Sequence, residues 1–175
     1  MSFFCCYTHC TKGTDMAIRT FSLSGLAKEG YKFILAGKVT NNCRKCYDRL
    51  AHGLGVQGSV EFVGFCHDVK PWMEREQLFL CVLKAKDWDT LQLESMFYGC
   101  PVIACKSGGT KELLKDGKTR LLFTDENGCV KAMQVAAKTD MQTMILTVQK
   151  YAVDNFSEEK YGVHIINLYK EILKH

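Results

Sequence analysis

The stretch that decides the fold is LESMFYGCPVIA, residues 93–104. Its first half has the character of a helix that stops at Gly99, and Pro101 prevents that helix from continuing. The apolar residues from Val102 onward then read as a buried strand. A helix followed at once by a buried strand is typical of a parallel α/β sheet, in which helices connect successive strands.

The same alternation of short apolar runs with helix-length amphipathic stretches extends in both directions. Six strands are expected, at residues 3–7, 32–36, 60–63, 78–83, 102–105 and 120–123. Thr14-Asp15 is expected to cap the first helix. Further helices are expected to start at Asn41-Asn42, after Asp68 and at Thr90, the last of these running through Tyr98, and three more are expected at residues 126–138, 141–155 and 158–174. Ser157 is expected to cap the last helix. These elements predict a Rossmann-like three-layer α/β domain with a parallel sheet of about six strands.

The composition is that of a single globular domain. The 175 residues, 47% of them hydrophobic, are enough for one substantial core, and the chain is too short for two full domains. No secretory signal and no apolar run of roughly 18 residues is present, so a cytoplasmic protein is expected. The formal charge of +4 is mild and the basic residues are scattered. This disfavours nucleic acid as a partner and leaves at most a loose contact with the cytosolic face of a membrane.

The ten cysteines are expected to be reduced and mostly buried. Cys43 and Cys46 have the spacing of a zinc knuckle or a redox pair, but no second pair has a matching spacing. We therefore expect ordinary thiols there and no metal site. The cysteines that lie in apolar runs typical of core strands are Cys5, Cys6, Cys81 and Cys105.

Ligands of open parallel sheets bind beyond the carboxyl ends of the strands, where helix N-termini present free N–H groups. In the first such loop, Lys12-Gly13 offers an ammonium group and a small residue that suit a diphosphate, although a simple turn would have the same sequence. Glu94 is expected one turn into the helix that starts at Thr90, within reach of sugar hydroxyls. The alternative for Glu94 is a glutamate that only favours the helix dipole.

A third loop, containing Gly108 and Gly109, leads from a strand into a helix and offers backbone N–H groups to an anion. The pattern G-x-G-x-x-G, typical of dinucleotide binding, is absent, and so is the P-loop pattern G-x-x-x-x-G-K. Classes that depend on these patterns, the NAD enzymes and the P-loop nucleotidases, are therefore disfavoured.

Six fragments of the chain form a characteristic pattern by their order and spacing: residues 12–18, 34–37, 60–64, 93–104, 108–112 and 155–157. Together they resemble the C-terminal, nucleotide-sugar-binding domain of the group 1 (family 4) glycosyltransferases, which have the GT-B fold. The resemblance covers nearly the whole chain.

The resemblance implies that residues 1–175 form one donor-binding domain. The acceptor-binding N-terminal domain is then expected to be absent from this chain, cut from a longer protein or supplied by a separate subunit. The reaction implied is retaining transfer of a hexose from a UDP-, GDP- or ADP-sugar to an acceptor such as a glycan or a lipid-linked glycan. No metal or other cofactor is expected. The isolated chain is expected to bind a nucleotide sugar weakly and to transfer no sugar.

The resemblance also assigns site residues. Lys12 would contact the diphosphate, and Glu94 would contact the nucleotide ribose. Gly64 and Phe65 would lie along the base, and the backbone N–H groups near Thr90 and Leu91 would face the phosphates. The loop glycines Gly13, Gly108 and Gly109 complete the expected site.

The chain departs from the family pattern at three positions. Lys86 stands where the family has the carboxylate that touches the sugar, eight residues before Glu94, with Asp87 beside it. The arginine that usually precedes Lys12 by five or six residues is absent, and Arg120 replaces the usual glycine before the last strand. Either Lys86 supplies the missing cation or Asp87 the missing carboxylate. The alternative to a catalytic donor-binding domain is a non-catalytic nucleotide-binding or protein-interaction module.

Overall fold

The structure is a computed structural model, and it describes residues 2–6, 13–75, 78–82, 90–106 and 120–173. Six strands form one sheet in the order β3-β2-β1-β4-β5-β6, and all neighbouring strands are parallel. The strands are β1 (Ser2–Cys6), β2 (Lys32–Ala36), β3 (Val60–Gly64), β4 (Leu78–Cys81), β5 (Val102–Cys105) and β6 (Arg120–Phe123). The predicted parallel sheet of six strands is therefore confirmed.

Helices cover both faces of the sheet, as predicted for a three-layer domain. A short 3-10 helix (Leu26–Glu29) follows the first α-helix. The α-helices in the described residues are α1 (Thr14–Ser24), α2 (Asn41–Gly53), α3 (Lys70–Arg75), α4 (Thr90–Phe97), α5 (Glu126–Lys138), α6 (Met141–Phe156) and α7 (Glu158–Ile172).

The core has two parts, one on each face of the sheet, because the side chains of a strand alternate between faces. In β2, Phe33 and Leu35 pack on the face covered by α1, α2 and α5, whereas Ile34 and Ala36 pack on the face covered by α3, α4 and α6. All four residues are buried. Burial on both faces explains why the strand residues read as a continuous apolar run rather than as an alternating one.

The predicted start of α2 at Asn41 is confirmed, and α1 begins at Thr14, but the predicted cap of α1 at Thr14-Asp15 is wrong. The residue that precedes α1 is Gly13, which has a φ of 78° and makes no side-chain cap, while Thr14 is already inside the helix and buried. The residue that precedes α2 is Thr40, whose hydroxyl accepts a hydrogen bond from the N–H of Cys43. An extended backbone at Thr40 places its oxygen over the first turn, the usual geometry of a helix cap.

Ser157 caps the last helix, as predicted, by accepting a hydrogen bond from the N–H of Lys160. The other boundaries agree with the predictions to within one or two residues where they can be compared. β1 starts at Ser2 rather than at Phe3, and α4 ends at Phe97 rather than at Tyr98. The predicted ends of the first strand, at residue 7, of the fourth strand, at residue 83, and of the last helix, at residue 174, lie outside the described residues.

The cysteine prediction is right for most described thiols and wrong for one. Cys81, Cys100, Cys105 and Cys129 are reduced thiols and are buried. Cys43, in contrast, is disulfide-bonded and is not an ordinary thiol. An amphipathic pattern shows which face of a helix a cysteine occupies, but it does not show which sulfur meets it in the folded chain. Among the described residues, no group of three or more metal-binding side chains is assembled.

Candidate functional site

The strand order reverses between β1 and β4, because the chain leaves β3 at one edge and returns to the centre of the sheet. Such a reversal opens a crevice beyond the carboxyl ends of the two central strands, and this is where open parallel sheets bind ligands. The helices that follow these strands, α1 and α4, begin at the same end of the sheet. The sites predicted at Gly13, Thr90 and Leu91 therefore lie at one edge.

Gly13 brings the start of α1 close to the end of β4. A Cβ atom added at Gly13 would lie only 3.2 Å from Cγ2 of Val82, and the positive φ of 78° also favours glycine. Gly13 has no side chain that could cap α1, and no side-chain hydrogen bond caps this helix start. The first N–H groups of α1 are thus available to an anionic ligand.

A cavity of about 260 Å³ lies beside this helix start, at the carboxyl ends of β4, β5 and β6. Its floor is apolar and its rim carries a hydroxyl and two carboxylates. Asp125 caps α5 by accepting a hydrogen bond of 2.7 Å from the N–H of Gly128. The cavity is lined by Met16, Val82, Cys105, Phe123, Thr124, Asp125 and Glu126.

One guanidinium joins the first turns of α1 and α5. Arg19 donates a hydrogen bond of 3.0 Å to Asp15 and one of 2.9 Å to Glu126. The hydrogen bond to Glu126 is the main cause that raises the pKa of Arg19 above its ordinary value; partial burial opposes it, and Asp15 adds to it. We call these three residues the Arg19 bridge.

Glu94 lies in the middle of α4 with its side chain exposed to solvent. Its neighbours Ser95 and Met96 are fully buried against the sheet, so the carboxylate points away from the core. No ion pair with Glu94 occurs within the part of the chain that the structure describes. The carboxylate is therefore available to a ligand, as its predicted contact with a ribose requires.

An exposed aromatic pair marks the carboxyl end of β3. Gly64 has a φ of 78°, and its carbonyl accepts a hydrogen bond of 2.7 Å from the N–H of Gly37 at the end of β2. Phe65, which follows, is 63% exposed and makes an edge contact with His67 at 4.9 Å between ring centroids. An aromatic ring that is largely exposed suits the stacking of a nucleotide base.

The structure thus places six of the predicted site residues at the carboxyl edge of the sheet: Gly13, Gly64, Phe65, Thr90, Leu91 and Glu94. Five others lie outside the described residues, and their roles stay predictions: Lys12, Lys86, Asp87, Gly108 and Gly109.

Arg19 and Glu126 are not among the site residues predicted from the sequence. The four-residue spacing of Asp15 and Arg19 on one helix was a signal that could have indicated their ion pair. Glu126 is 107 residues away from Arg19 in the chain, and nothing local in the sequence indicates that contact.

Comparison with known proteins gives a consistent result. A family model described as "Glycosyl transferases group 1" matches residues 2–139. The lipopolysaccharide core biosynthesis glycosyltransferase LpsE of Rhizobium meliloti is 29% identical over 100 residues, which are 55% of this chain and 29% of LpsE. The chain therefore spans less than a third of this relative.

Two solved structures show the same fold. Anabaena HepE in complex with UDP and glucose superposes with a TM-score of 0.80 at 21% identity, over 97% of this chain and 48% of that protein. The isolated C-terminal domain of the group 1 glycosyl transferase LpcC from Francisella tularensis superposes with a TM-score of 0.77 at 16% identity, over 90% of this chain and 87% of that domain. The described fold thus corresponds to half of HepE and to nearly all of the LpcC domain.

Proposed function

This chain belongs to the group 1 glycosyltransferases, and we propose that it is the domain that binds the nucleotide-sugar donor in such an enzyme. The observation that carries the proposal is the uncapped start of α1, which Gly13 holds against the end of β4 at the strand-order reversal. The N–H groups and the positive dipole end of a helix at this point suit a diphosphate. The UDP in the structure of HepE supports this choice of ligand.

Each part of the donor has a proposed contact. The diphosphate would lie between Lys12 and the first N–H groups of α1 and α4, with Gly108 and Gly109 offering further backbone donors. The ribose hydroxyls would donate to the carboxylate of Glu94, which is exposed. The base would stack along Gly64 and Phe65, because that aromatic ring is open to solvent.

The proposed reaction is retaining transfer of a hexose from a UDP-, GDP- or ADP-sugar to a glycan or a lipid-linked glycan. The biosynthetic role named for LpsE supports a glycan acceptor. We propose that no metal takes part, because the ammonium of Lys12 and two helix N-termini can stabilise the charge of the departing diphosphate.

The acceptor would bind to a second domain, in the same polypeptide or in a separate subunit. The chain corresponds to 48% of HepE, which leaves half of that protein without a counterpart here. The last helix, α7, also carries an apolar surface that nothing in the described residues covers. The exposed apolar residues of this surface are Tyr161, Val163, Ile166, Tyr169, Ile172 and Leu173.

The isolated chain would then bind donor weakly and transfer no sugar, since transfer needs both substrates in a near-attack geometry shielded from water. Among the described residues, no helix has the length and apolar character needed to cross a membrane. We propose a cytoplasmic location with contact to the cytosolic face of a membrane, which the lipopolysaccharide pathway of LpsE supports.

A second candidate is a non-catalytic module that keeps the fold for nucleotide binding or protein association. The specific observation in its favour is Lys86, a cation at the position where the family carries a carboxylate. The two candidates differ in one measurement. Only the first predicts sugar transfer when an acceptor-binding domain from the same gene region is added to this chain.

Donor binding is tested by calorimetric titration of the chain with UDP-, GDP- and ADP-sugars, with the matching diphosphates, and with pyrophosphate. Lys12→Ala should weaken binding of diphosphate and pyrophosphate alike and reduce its salt dependence. Glu94→Gln should cost about 1.5–3 kcal/mol with the nucleoside diphosphate and almost nothing with pyrophosphate, because it contacts the ribose.

Two exposed residues that are not among the proposed donor contacts serve as controls, Lys138→Ala at the end of α5 and Glu171→Gln in α7. Both should bind like the parent. If Lys12→Ala and Glu94→Gln also bind like the parent, Lys12 is only a turn residue, Glu94 is only a helix-dipole residue, and the donor site is elsewhere.

A further inference from the structure

We propose that the Arg19 bridge tunes the charge at the diphosphate site, with Arg19 as a positioning residue whose single positive charge offsets half of the negative charge of two carboxylates beside the start of α1. This inference rests on the proposed function, because it assumes that an anion binds at that helix start. The proposed function assigns roles to residues that contact the donor. The Arg19 bridge adds a role for residues that contact each other instead.

Asp15 places a negative charge at the start of α1. It is the second residue of α1 and stands two residues after Gly13, so its carboxylate lies in the same helical turn that would receive a diphosphate. A carboxylate there stabilises the helix through its interaction with the helix dipole, but it repels an anionic ligand. Its charge must therefore be offset if the helix start is to attract a diphosphate.

Arg19 supplies that offset. Its guanidinium lies 3.0 Å from Asp15, one turn further along the same helix. An ion pair on an exposed helix surface contributes little to stability, generally less than about 1 kcal/mol. The side chains of Arg19 and Asp15 are 37% and 49% exposed, so stability alone is a weak explanation for the pair.

Glu126 makes the arrangement more than a local helix pair. Its carboxylate accepts a hydrogen bond of 2.9 Å from the second NH2 group of the guanidinium. Glu126 lies in the first turn of α5 and also lines the cavity beside Met16. Two carboxylates from two helix starts thus share one cation, and the bridge carries a net charge of −1. Removing the cation would leave a charge of −2 beside the diphosphate, and removing either carboxylate would leave zero.

This charge count gives a test that separates an electrostatic role from a mechanical one. Titration of UDP into Arg19→Met should show binding about threefold to tenfold weaker than the parent, and Asp15→Asn and Glu126→Gln should each bind more tightly by a similar factor. The double variant Asp15→Asn with Arg19→Met has the parent charge of −1 and should recover most of the parent affinity. These differences should shrink at high salt, whereas a structural defect would not respond in this way.

The control is Lys150→Met, which breaks the Lys150–Asp154 ion pair on α6, on the opposite face of the sheet, and should leave UDP affinity unchanged. Thermal melting of each variant shows whether the fold survives, and Glu126→Gln keeps the shape of the side chain if Arg19→Met does not fold. A double variant as weak as Arg19→Met would show that the bridge acts only by holding α1 to α5, and equal affinities throughout would show no role. Both results overturn the proposal while leaving donor binding intact, whereas a parent chain that binds no nucleoside diphosphate overturns the proposed function itself.

Discussion

Gly13 is the residue at which a single methyl group should damage both the fold and the proposed site. Two costs arise when Gly13 becomes alanine. A residue with a Cβ atom at a φ of 78° costs about 1–2 kcal/mol relative to glycine. The new Cβ would also lie 3.2 Å from Cγ2 of Val82, which is buried and has a stiff branched side chain, and crowding of this kind adds about 1 kcal/mol.

The chain contains a matched control for the first cost. Gly25, at the other end of α1, has the same φ of 78°, but a Cβ atom added there meets nothing within 4 Å. Gly25→Ala should therefore lose only the backbone term, about 1–2 kcal/mol, and Gly13→Ala should lose about 2–3 kcal/mol. The quantity to measure is the free energy of unfolding from urea denaturation.

The same two variants separate stability from binding. Gly13→Ala should displace the first turn of α1 from β4 and weaken UDP binding several-fold, whereas Gly25→Ala should not, because it lies at the far end of the helix. In a Val82→Ala background, which lacks the crowding atom, Gly13→Ala should cost only the backbone term relative to Val82→Ala alone. The reasoning is refuted if Gly13→Ala is no more destabilising than Gly25→Ala, or if both variants bind UDP like the parent.

Two further predictions concern the two faces of the core. Gly99→Ala should destabilise the fold by about 3 kcal/mol in urea denaturation. The φ of Gly99 is 75°, and an added Cβ atom would lie 2.8 Å from Nε2 of Gln149 and 2.9 Å from Cγ2 of Ile145. A loss of stability no larger than that of Gly25→Ala would contradict this prediction. Burial raises the pKa of the Cys129 thiol from 9.0 to about 11, so the unfolded chain ionises first and stability should fall between pH 9 and pH 11. Cys129→Ala should show a smaller fall over that range, and iodoacetamide at pH 8 should modify the exposed Cys46 well before Cys129.

The fold could be predicted from the sequence because its strands are buried on both faces. A strand such as β5, with all four residues buried, leaves a short continuous apolar run that differs from the spaced pattern of a helix. The stop at Gly99 could also be predicted, since a helix end favours glycine with a positive φ. Each of these signals lies within a few residues of the chain.

The start of α1 shows why local signals fail elsewhere. Thr14 and Asp15 have good capping side chains, and a local argument therefore places the helix cap there. In the structure Thr14 is the first residue of the helix and is buried, and Gly13 takes the cap position, because the start of the helix approaches Val82, which follows β4 almost 70 residues later in the chain. That requirement depends on the order of the strands in the sheet, and the alternation of strands and helices does not determine their order.

The same distinction applies to the candidate site. Residues that would touch the donor directly follow the ends of strands, so a parallel sheet places them at one edge whatever the strand order. The Arg19 bridge is different, because Asp15 and Glu126 meet only when α1 and α5 pack side by side on the same face of the sheet. A motif in the sequence can therefore indicate which groups bind a diphosphate, but the charge that surrounds them is set by tertiary contacts. If the affinity for UDP follows the net charge of the bridge, two group 1 domains with the same binding motif can differ in donor affinity through residues that never touch the donor.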